Sequence, residues 1–290
     1  MKQILYIPLI ALLFIVSCTE AKQEKVAGNY KYKERMKKTY FANYDFSGRF
    51  DIIFNGVSMV RNRKDGVVSG IEYLNPYISK SGVQNIMLVV KPLSPNSKIF
   101  PKDVKDYFID IVYTENGAAA PVKNVKRCSF PAIDKPADSL VYTWTFDADV
   151  PYELEGFTNS LSLTKEDPAQ LLSEVLAYYQ NVHNIINEGN HKDYLQLYKK
   201  SREREMISVY MDEKKQKEYL ESLEKRISSS KGYMQPLTDY KLFIHPNGKL
   251  VGLITSNGVT PLYSKDQEGK RKQYGLELHR VKGSNKLEVY

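Results

Sequence analysis

The chain has 290 residues, of which 42% are hydrophobic and 26% are charged, and its formal net charge is +8 at pH 7. These proportions are those of ordinary globular proteins, so the composition argues against an intrinsically disordered chain. The length is sufficient for one large domain or for two small ones.

The first residues have the pattern of an export signal that ends in a cysteine. Lys2 supplies a positive charge, and residues 4–16 form an apolar stretch interrupted by one proline. A membrane-spanning helix would need about 20 apolar residues, and this stretch is too short. Residues 15–18, with the sequence Ile-Val-Ser-Cys, resemble the lipobox of bacterial lipoproteins.

This resemblance implies that residues 1–17 are a signal peptide and that Cys18 is the lipid-attachment residue, with palmitate-type chains. Each buried methylene of such chains contributes roughly 0.8 kcal/mol, so two or three chains hold a protein on a bilayer. Ordinary cleavage with release is the alternative. An aspartate directly after the lipidated cysteine would resemble an inner-membrane retention signal, but this chain has Thr19 at that position. We therefore expect a cell-envelope lipoprotein on the outer membrane, facing either the periplasm or the cell surface.

Residues 18–45 are expected to form a lipidated basic linker, because seven basic residues stand against three acidic ones between Thr19 and Tyr44. Basic residues that alternate with aromatic ones are typical of nucleic-acid binding. An exported lipoprotein rarely meets nucleic acid, so we expect no such partner. Contact with anionic lipid head groups and a merely solvated linker both remain open.

With Cys18 acylated, Cys128 is the one remaining thiol, so no intramolecular disulfide can form. A nucleophilic cysteine needs a neighbouring cation to lower its pKa. Cys128 lies instead in the alternating, strand-like run of residues 125–130. We predict a buried structural cysteine.

Residues 46–163 are predicted to form an all-β antiparallel sandwich, because short apolar segments alternate with Gly, Pro and Asn-Gly turn signals. The expected strands are 49–54, 57–60, 85–91, 106–114, 122–130 and 139–147.

Residues 77–90 resemble a hairpin of jelly-roll sugar-binding modules, which implies a jelly-roll or Ig-like sandwich. Tyr73, Tyr77 and Trp144 are candidate stacking faces for a glycan, although Trp144 also fits a core position.

Residues 164–290 are predicted to form an α+β domain with three helices packed on an antiparallel meander. Thr164 is the expected N-cap, and apolar residues at helical spacing indicate helices at 168–188, 191–199 and 202–228. The expected strands are 240–245, 250–255, 259–263, 274–281 and 286–290. This order of elements resembles the NTF2-like or cystatin-like class. The whole chain is thus predicted to contain two domains behind its linker.

The four histidines do not have the spacing of a metal site. His183 falls on the apolar stripe of its helix, where a hydrogen-bonded core histidine is expected. His191, at a helix start, and His245, at a hairpin turn, are expected at the surface, and His279 on the exposed face of a sheet. We expect no metal and no cofactor.

Four acidic residues after the Trp144 strand are a candidate cation site: Asp147, Asp149, Glu153 and Glu155. They lack the spacing of a calcium loop, which favours a solvated loop. Glycine-rich phosphate loops and a Gly-x-Ser-x-Gly elbow are also missing from the sequence. We therefore assign no catalytic residue and expect a protein that is not an enzyme.

The resulting hypothesis is a non-catalytic protein-binding or accessory lipoprotein, either an envelope assembly component or a periplasmic immunity-type neutraliser. The 22 tyrosines suit it, because tyrosine is enriched at interfaces. Carbohydrate binding by the sandwich is the first alternative. The second is a hydrolase with a pocket in the C-terminal domain, which requires two titratable side chains to converge in one cavity.

Overall fold

A computed structural model describes residues 30–33, 36–64, 66–92, 94, 96–115, 122–284 and 286–290. The predicted signal peptide, Cys18 and the first part of the predicted linker lie outside the described residues. The described chain is mostly β, with antiparallel sheets and five helices.

Two four-stranded sheets form a sandwich-like arrangement. The first has the order β4-β1-β6-β7 and the second β3-β2-β5-β8. Their strands are β1 (Lys38–Ser47), β2 (Arg49–Phe54), β3 (Val57–Asn62), β4 (Val67–Tyr73), β5 (Gly82–Lys91), β6 (Phe108–Glu115), β7 (Lys123–Ser129) and β8 (Leu140–Ala148). A short helix α1 (Pro101–Val104) precedes β6.

The sandwich core is built from apolar side chains of neighbouring strands. Burial alternates along β5, where Ile86 and Leu88 are fully buried. Phe50, Ile52 and Phe54 of the neighbouring β2 are fully buried as well. Burial of each such side chain contributes about 1.5–3 kcal/mol relative to exposure. The sandwich prediction is confirmed at the level of its antiparallel sheets.

The turn between β2 and β3 is the predicted Asn-Gly turn. Asn55 and Gly56 both have positive φ, 49° and 76°, as a type I′ turn requires. Gly56 also accepts a hydrogen bond at its carbonyl from the backbone N–H of Asn247 in the C-terminal half. A Cβ at Gly56 would overlap the side chain of Asn247, so glycine permits both the turn and this close approach.

Two strands lie where the sequence analysis placed none. β1 begins at Lys38, inside the segment expected to be a linker at 18–45. Its buried residues Tyr40, Ala42 and Tyr44 alternate with more exposed ones, but the basic charge of the region masked this period. β4 contains Gly70, where a Cβ would overlap the Tyr44 ring, and glycine weakens a strand signal.

The C-terminal half contains α2 (Pro168–Asn187), α3 (His191–Leu197), α4 (Lys199–Ser208) and α5 (Glu213–Ser228). A four-stranded antiparallel sheet has the order β14-β13-β10-β9. Its strands are β9 (Lys241–Ile244), β10 (Val251–Ile254), β13 (Leu278–Arg280) and β14 (Leu287–Val289), and a separate hairpin pairs β11 (Tyr263–Lys265) with β12 (Arg271–Gln273). Within the described ranges, no helix has the length and apolarity needed to cross a membrane.

Three expectations for this half are wrong. The N-cap of α2 is Asp167, whose carboxylate accepts two backbone N–H groups, rather than Thr164. The helix expected over 202–228 is two helices, because Tyr210 has φ of 59° and Asp212 caps a new helix. Four helices, not three, therefore accompany the sheet. A strand was expected over residues 259–263, but no strand covers residues 259–262, and β11 begins at Tyr263.

The two halves are joined through polar contacts as well as apolar ones. Asn75, in a 3-10 turn after β4, is fully buried. Its Oδ1 accepts the backbone N–H of Tyr40 at 2.7 Å, and its Nδ2 donates to the carbonyls of Lys38 and Ser208, each at 3.0 Å. One side chain thus ties β1 to the end of α4.

Candidate functional site

A cavity of about 460 Å³ lies where β3 meets α4 and the turn between β9 and β10. We call it the junction cavity. Clefts that bind small molecules usually measure about 300–1,000 Å³. Its polar lining consists of Arg61, Arg202, Arg204, Glu205, His245 and Glu277, and tyrosine rings from Tyr77, Tyr194, Tyr198, Tyr219 and Tyr290 form much of the wall.

One carboxylate of the cavity is held by a histidine. His245 is buried, and its Nδ1 accepts the backbone N–H of Ser58 at 3.1 Å. The ring proton therefore lies on Nε2, which donates to Glu277 Oε2 at 2.8 Å. The Glu277 side chain is 38% exposed. A carboxylate is thus presented to the cavity in a fixed orientation.

A second carboxylate is held by a tyrosine. The Tyr219 hydroxyl of α5 donates to Glu205 Oε2 of α4 at 2.6 Å. Burial, followed by the charge of Glu205, raises the pKa of Tyr219 well above its ordinary range. Glu205 and Glu277 line the same cavity, which is the convergence that the hydrolase hypothesis requires. The cavity lies between the two halves rather than inside the C-terminal one.

Arg202 lines the cavity, and its guanidinium has few partners. The residue is 5% exposed, and its Nη2 donates to the carbonyl of Leu195. Its Nε and Nη1 are buried and have no hydrogen-bond partner among the described residues. Burial lowers the pKa of Arg202, but arginine stays charged in proteins.

Two further arginines enter from different elements. Arg61 of β3 donates from Nε to the carbonyl of Gly258 at 3.0 Å, while its buried Nη1 has no described partner. Arg204 of α4 stacks over the Tyr290 ring at 3.7 Å. Burial lowers the pKa of both guanidinium groups. Three cationic and two anionic side chains therefore line the cavity.

Tyr77 stands beside these charges. Burial, followed by the charges of Glu277, Glu72 and Glu205, raises the pKa of its hydroxyl to about 12. The hydroxyl therefore keeps its proton at neutral pH, and it makes no hydrogen bond to a described residue. Tyr77 can offer both a ring face and a polar group to a ligand.

The predicted positions of the histidines are partly wrong. His245 was expected at the surface but is buried, because the β9–β10 turn packs on the sandwich. His279 was expected on an exposed face but is 8% exposed, and its Nδ1 lies 2.8 Å from Ser160 Oγ. Burial and the positive charge of Arg204 lower its pKa. His183 is half-buried beside the carbonyl of Gln235 at 3.2 Å, and His191 begins α3.

Cys128 is fully buried, as predicted. Burial raises the pKa of its thiol to about 11, so the thiolate that a nucleophile requires is disfavoured. The acidic residues after β8 contact basic residues near the start of the described chain. Asp149 pairs with Lys38 at 3.3 Å, and Glu153 pairs with Lys33. No cluster of three metal-ligating side chains occurs in the described part of the chain.

The three proposed glycan-stacking residues do not form one platform. Tyr77 lines the junction cavity. Tyr73 is 53% exposed on β4 and contacts Phe41, with ring centroids 4.8 Å apart. Trp144 packs near Phe130, with centroids 6.2 Å apart, and belongs to the margin of the sandwich core.

No protein-family model matches the chain, and no curated protein or solved structure matches it either. Local sequence patterns do not reveal the junction cavity, because β3, α4 and the β9–β10 turn are distant in sequence. The one local signal was the group of charged residues at 202–205, which falls in a helix with little apolar periodicity.

Proposed function

We propose that the chain is a membrane-anchored, non-catalytic binding protein of the cell envelope that holds a small ligand in the junction cavity. The anchor and the envelope location rest on the lipobox-like residues 15–18, which make Cys18 the lipid-attachment residue. The cavity carries the binding function. The division into two domains is part of the proposal, and the two separate clusters of buried side chains support it.

The single observation behind the binding function is that charged groups converge on one cavity and are oriented by neighbouring residues. Such oriented groups are what a ligand site requires. The two carboxylates each accept a hydrogen bond from a neutral donor, His245 or Tyr219. Carbohydrate binding would use the same cavity, with Tyr77 as a stacking wall.

The test is native mass spectrometry of the full-length protein released from its own membranes. Gly275 lies at the exposed rim of the cavity, and a Cβ built there meets no atom within 4 Å. Gly275→Trp therefore adds bulk at the mouth without disturbing the core. We expect a stoichiometric small-molecule adduct on the wild type, loss of that adduct in Gly275→Trp, and its retention in the control Val141→Trp on exposed β8. Equal occupancy in both variants would contradict a ligand in this cavity.

Protein binding is the second candidate, and one feature favours it. β4 is an edge strand of the first sheet, and it exposes Val67, Ile71 and Tyr73 at 71%, 63% and 53%. Edge strands with apolar side chains can pair with a strand of another protein. Capture from solubilised membranes should recover an envelope protein in stoichiometric amount, and Ile71→Asp should lose it. Recovery of the same protein by Ile71→Asp would refute this candidate.

A further inference from the structure

Arg202 is the least satisfied charged group of the junction cavity. Its Nε and Nη1 together carry three N–H donors, and none of them has a partner among the described residues. Buried polar groups are nearly always hydrogen-bonded, so such donors call for a specific explanation. The residue is more than nine-tenths buried and lines the cavity.

The charged groups around Arg202 do not neutralise it. Glu205 is three residues further along the same helix, but it accepts the Tyr219 hydroxyl instead and makes no ion pair with Arg202. Glu203, on the same helix, also makes no ion pair with it among the described residues, and the hydroxyls of Tyr194 and Tyr219 lie near it as well. The cavity as a whole keeps an excess of one positive charge, because three arginines face two glutamates.

We infer that Arg202 binds an oxyanion group of the ligand, namely a carboxylate, phosphate or sulfate. This inference rests on the proposed function, because it names the chemical class of the molecule in the same cavity. Oxyanions offer several lone pairs to the planar guanidinium donors, and charge-assisted hydrogen bonds of this kind are strong. Arg61 lines the same cavity, and its unpartnered Nη1 offers a second cationic contact for a ligand long enough to reach it.

The body of the ligand then contacts the tyrosine walls. Tyr194 and Tyr198 stack on each other with ring centroids 4.4 Å apart, and Tyr77 presents its ring and free hydroxyl from the sandwich side. A ring-containing organic anion satisfies both the arginine and these surfaces, since Tyr faces accept apolar rings and sugars through their π-systems.

The test uses the Nε–Hε signal of Arg202 in ¹H–¹⁵N NMR spectra of the full mature protein. The protein is titrated with sodium phosphate, sodium sulfate and sodium benzoate, each against sodium chloride at equal ionic strength, because general screening would otherwise imitate binding. We expect a saturable shift of this signal with at least one of the three oxyanions and none with chloride. The anion that binds most tightly distinguishes carboxylate, phosphate and sulfate ligands.

Arg202→Lys keeps the charge but removes the guanidinium, and should weaken binding by at least about tenfold. The matched control is Arg226→Lys on α5, where the guanidinium lies over the Tyr274 ring and donates to the Gln273 carbonyl, away from the cavity. It should bind as the wild type does. If Arg202→Lys fails to fold, the Arg202 signal is assigned in the wild type by through-bond NMR experiments. Arg61→Lys then serves as the second variant whose anion binding is measured.

An unmoved Arg202 signal in folded protein, or a shift that never saturates, would overturn the inference. The proposed function fails separately. If the mass-spectrometric adduct is found but the Arg202 signal responds to no oxyanion, the cavity is still a ligand site. Only the proposal that the ligand is an anion is then refuted. If neither an adduct nor a response to anions is found, the proposed binding function and the anionic ligand are both refuted.

Discussion

His245 and Glu277 are joined by a hydrogen bond of 2.8 Å between Nε2 and Oε2, and the other nitrogen of the same ring accepts the backbone N–H of Ser58. One imidazole therefore links the sandwich to the C-terminal sheet and orients a carboxylate of the junction cavity. The hydrogen bond between Ser58 and His245 is buried, so removing its acceptor leaves an N–H group that water cannot readily reach.

Replacing this histidine should destabilise the protein. His245→Ala leaves the Ser58 N–H without its acceptor, and we expect the free energy of unfolding to fall by about 2 kcal/mol. Urea denaturation followed by circular dichroism measures it. His191→Ala, at the start of α3, is the control and should change stability by less than about 0.5 kcal/mol. Equal effects of the two substitutions would contradict the role given to His245.

Asn75 should be still less tolerant. Asn75→Ala removes the acceptor for Tyr40 and the donor to Lys38 and Ser208, and we expect a loss of about 3 kcal/mol in unfolding free energy. Asn75→Asp should not rescue it, because a carboxylate would face two carbonyl oxygens. The control is Asn124→Ala, an exposed position on β7, which should leave the free energy of unfolding almost unchanged. A mild Asn75→Ala phenotype in the same denaturation assay would argue against a polar junction.

The thiols report on both the fold and the anchor. Cys128 is buried and its pKa is raised to about 11, so an aromatic disulfide reagent at neutral pH should not react with the folded protein. Denaturation should release one thiol per chain, because an acylated Cys18 contributes none. Two reactive thiols after denaturation would mean that Cys18 is unmodified. If denaturation gives one reactive thiol and that thiol already reacts in the folded protein, Cys128 is accessible.

His279 should make stability depend on pH. Its pKa is lowered from 6.5 by burial and by Arg204, so just below that value the unfolded chain binds a proton that the folded chain does not. The contribution is fully present above the unfolded pKa, and it is lost as pH falls through 6.5 towards the lower folded value. Urea unfolding on both sides of this pH should show a decline that His279→Gln reduces. A decline unchanged in His279→Gln would contradict this assignment.

Local sequence signals predicted much of the architecture. The Asn55-Gly56 turn, most of the sandwich strands and the stripe of α2 are all short-range patterns, and the structure contains them. β1 was missed because its alternation lies within a basic segment, and the break near Tyr210 was missed because a positive φ at tyrosine has no local signal.

The junction cavity could not be read from the sequence for a different reason. Arg61 joins Arg202 and Glu277 in one cavity only after the two halves pack, and the spacing of these residues along the chain obeys no motif. His245 illustrates the same limit, since a hairpin turn usually lies at the surface and this one is covered by β3. Long-range packing, rather than local secondary-structure propensity, determines both the formation of the junction cavity and the burial of His245.

Ligand binding in the junction cavity is tested most directly by a crystal structure of the protein purified from its own membranes without extraction of bound molecules. We expect continuous electron density, unexplained by the chain, that extends from the Arg202 guanidinium towards the ring of Tyr77. A junction cavity that contains only ordered water, or that is closed by its own tyrosine side chains, would contradict a ligand-binding role.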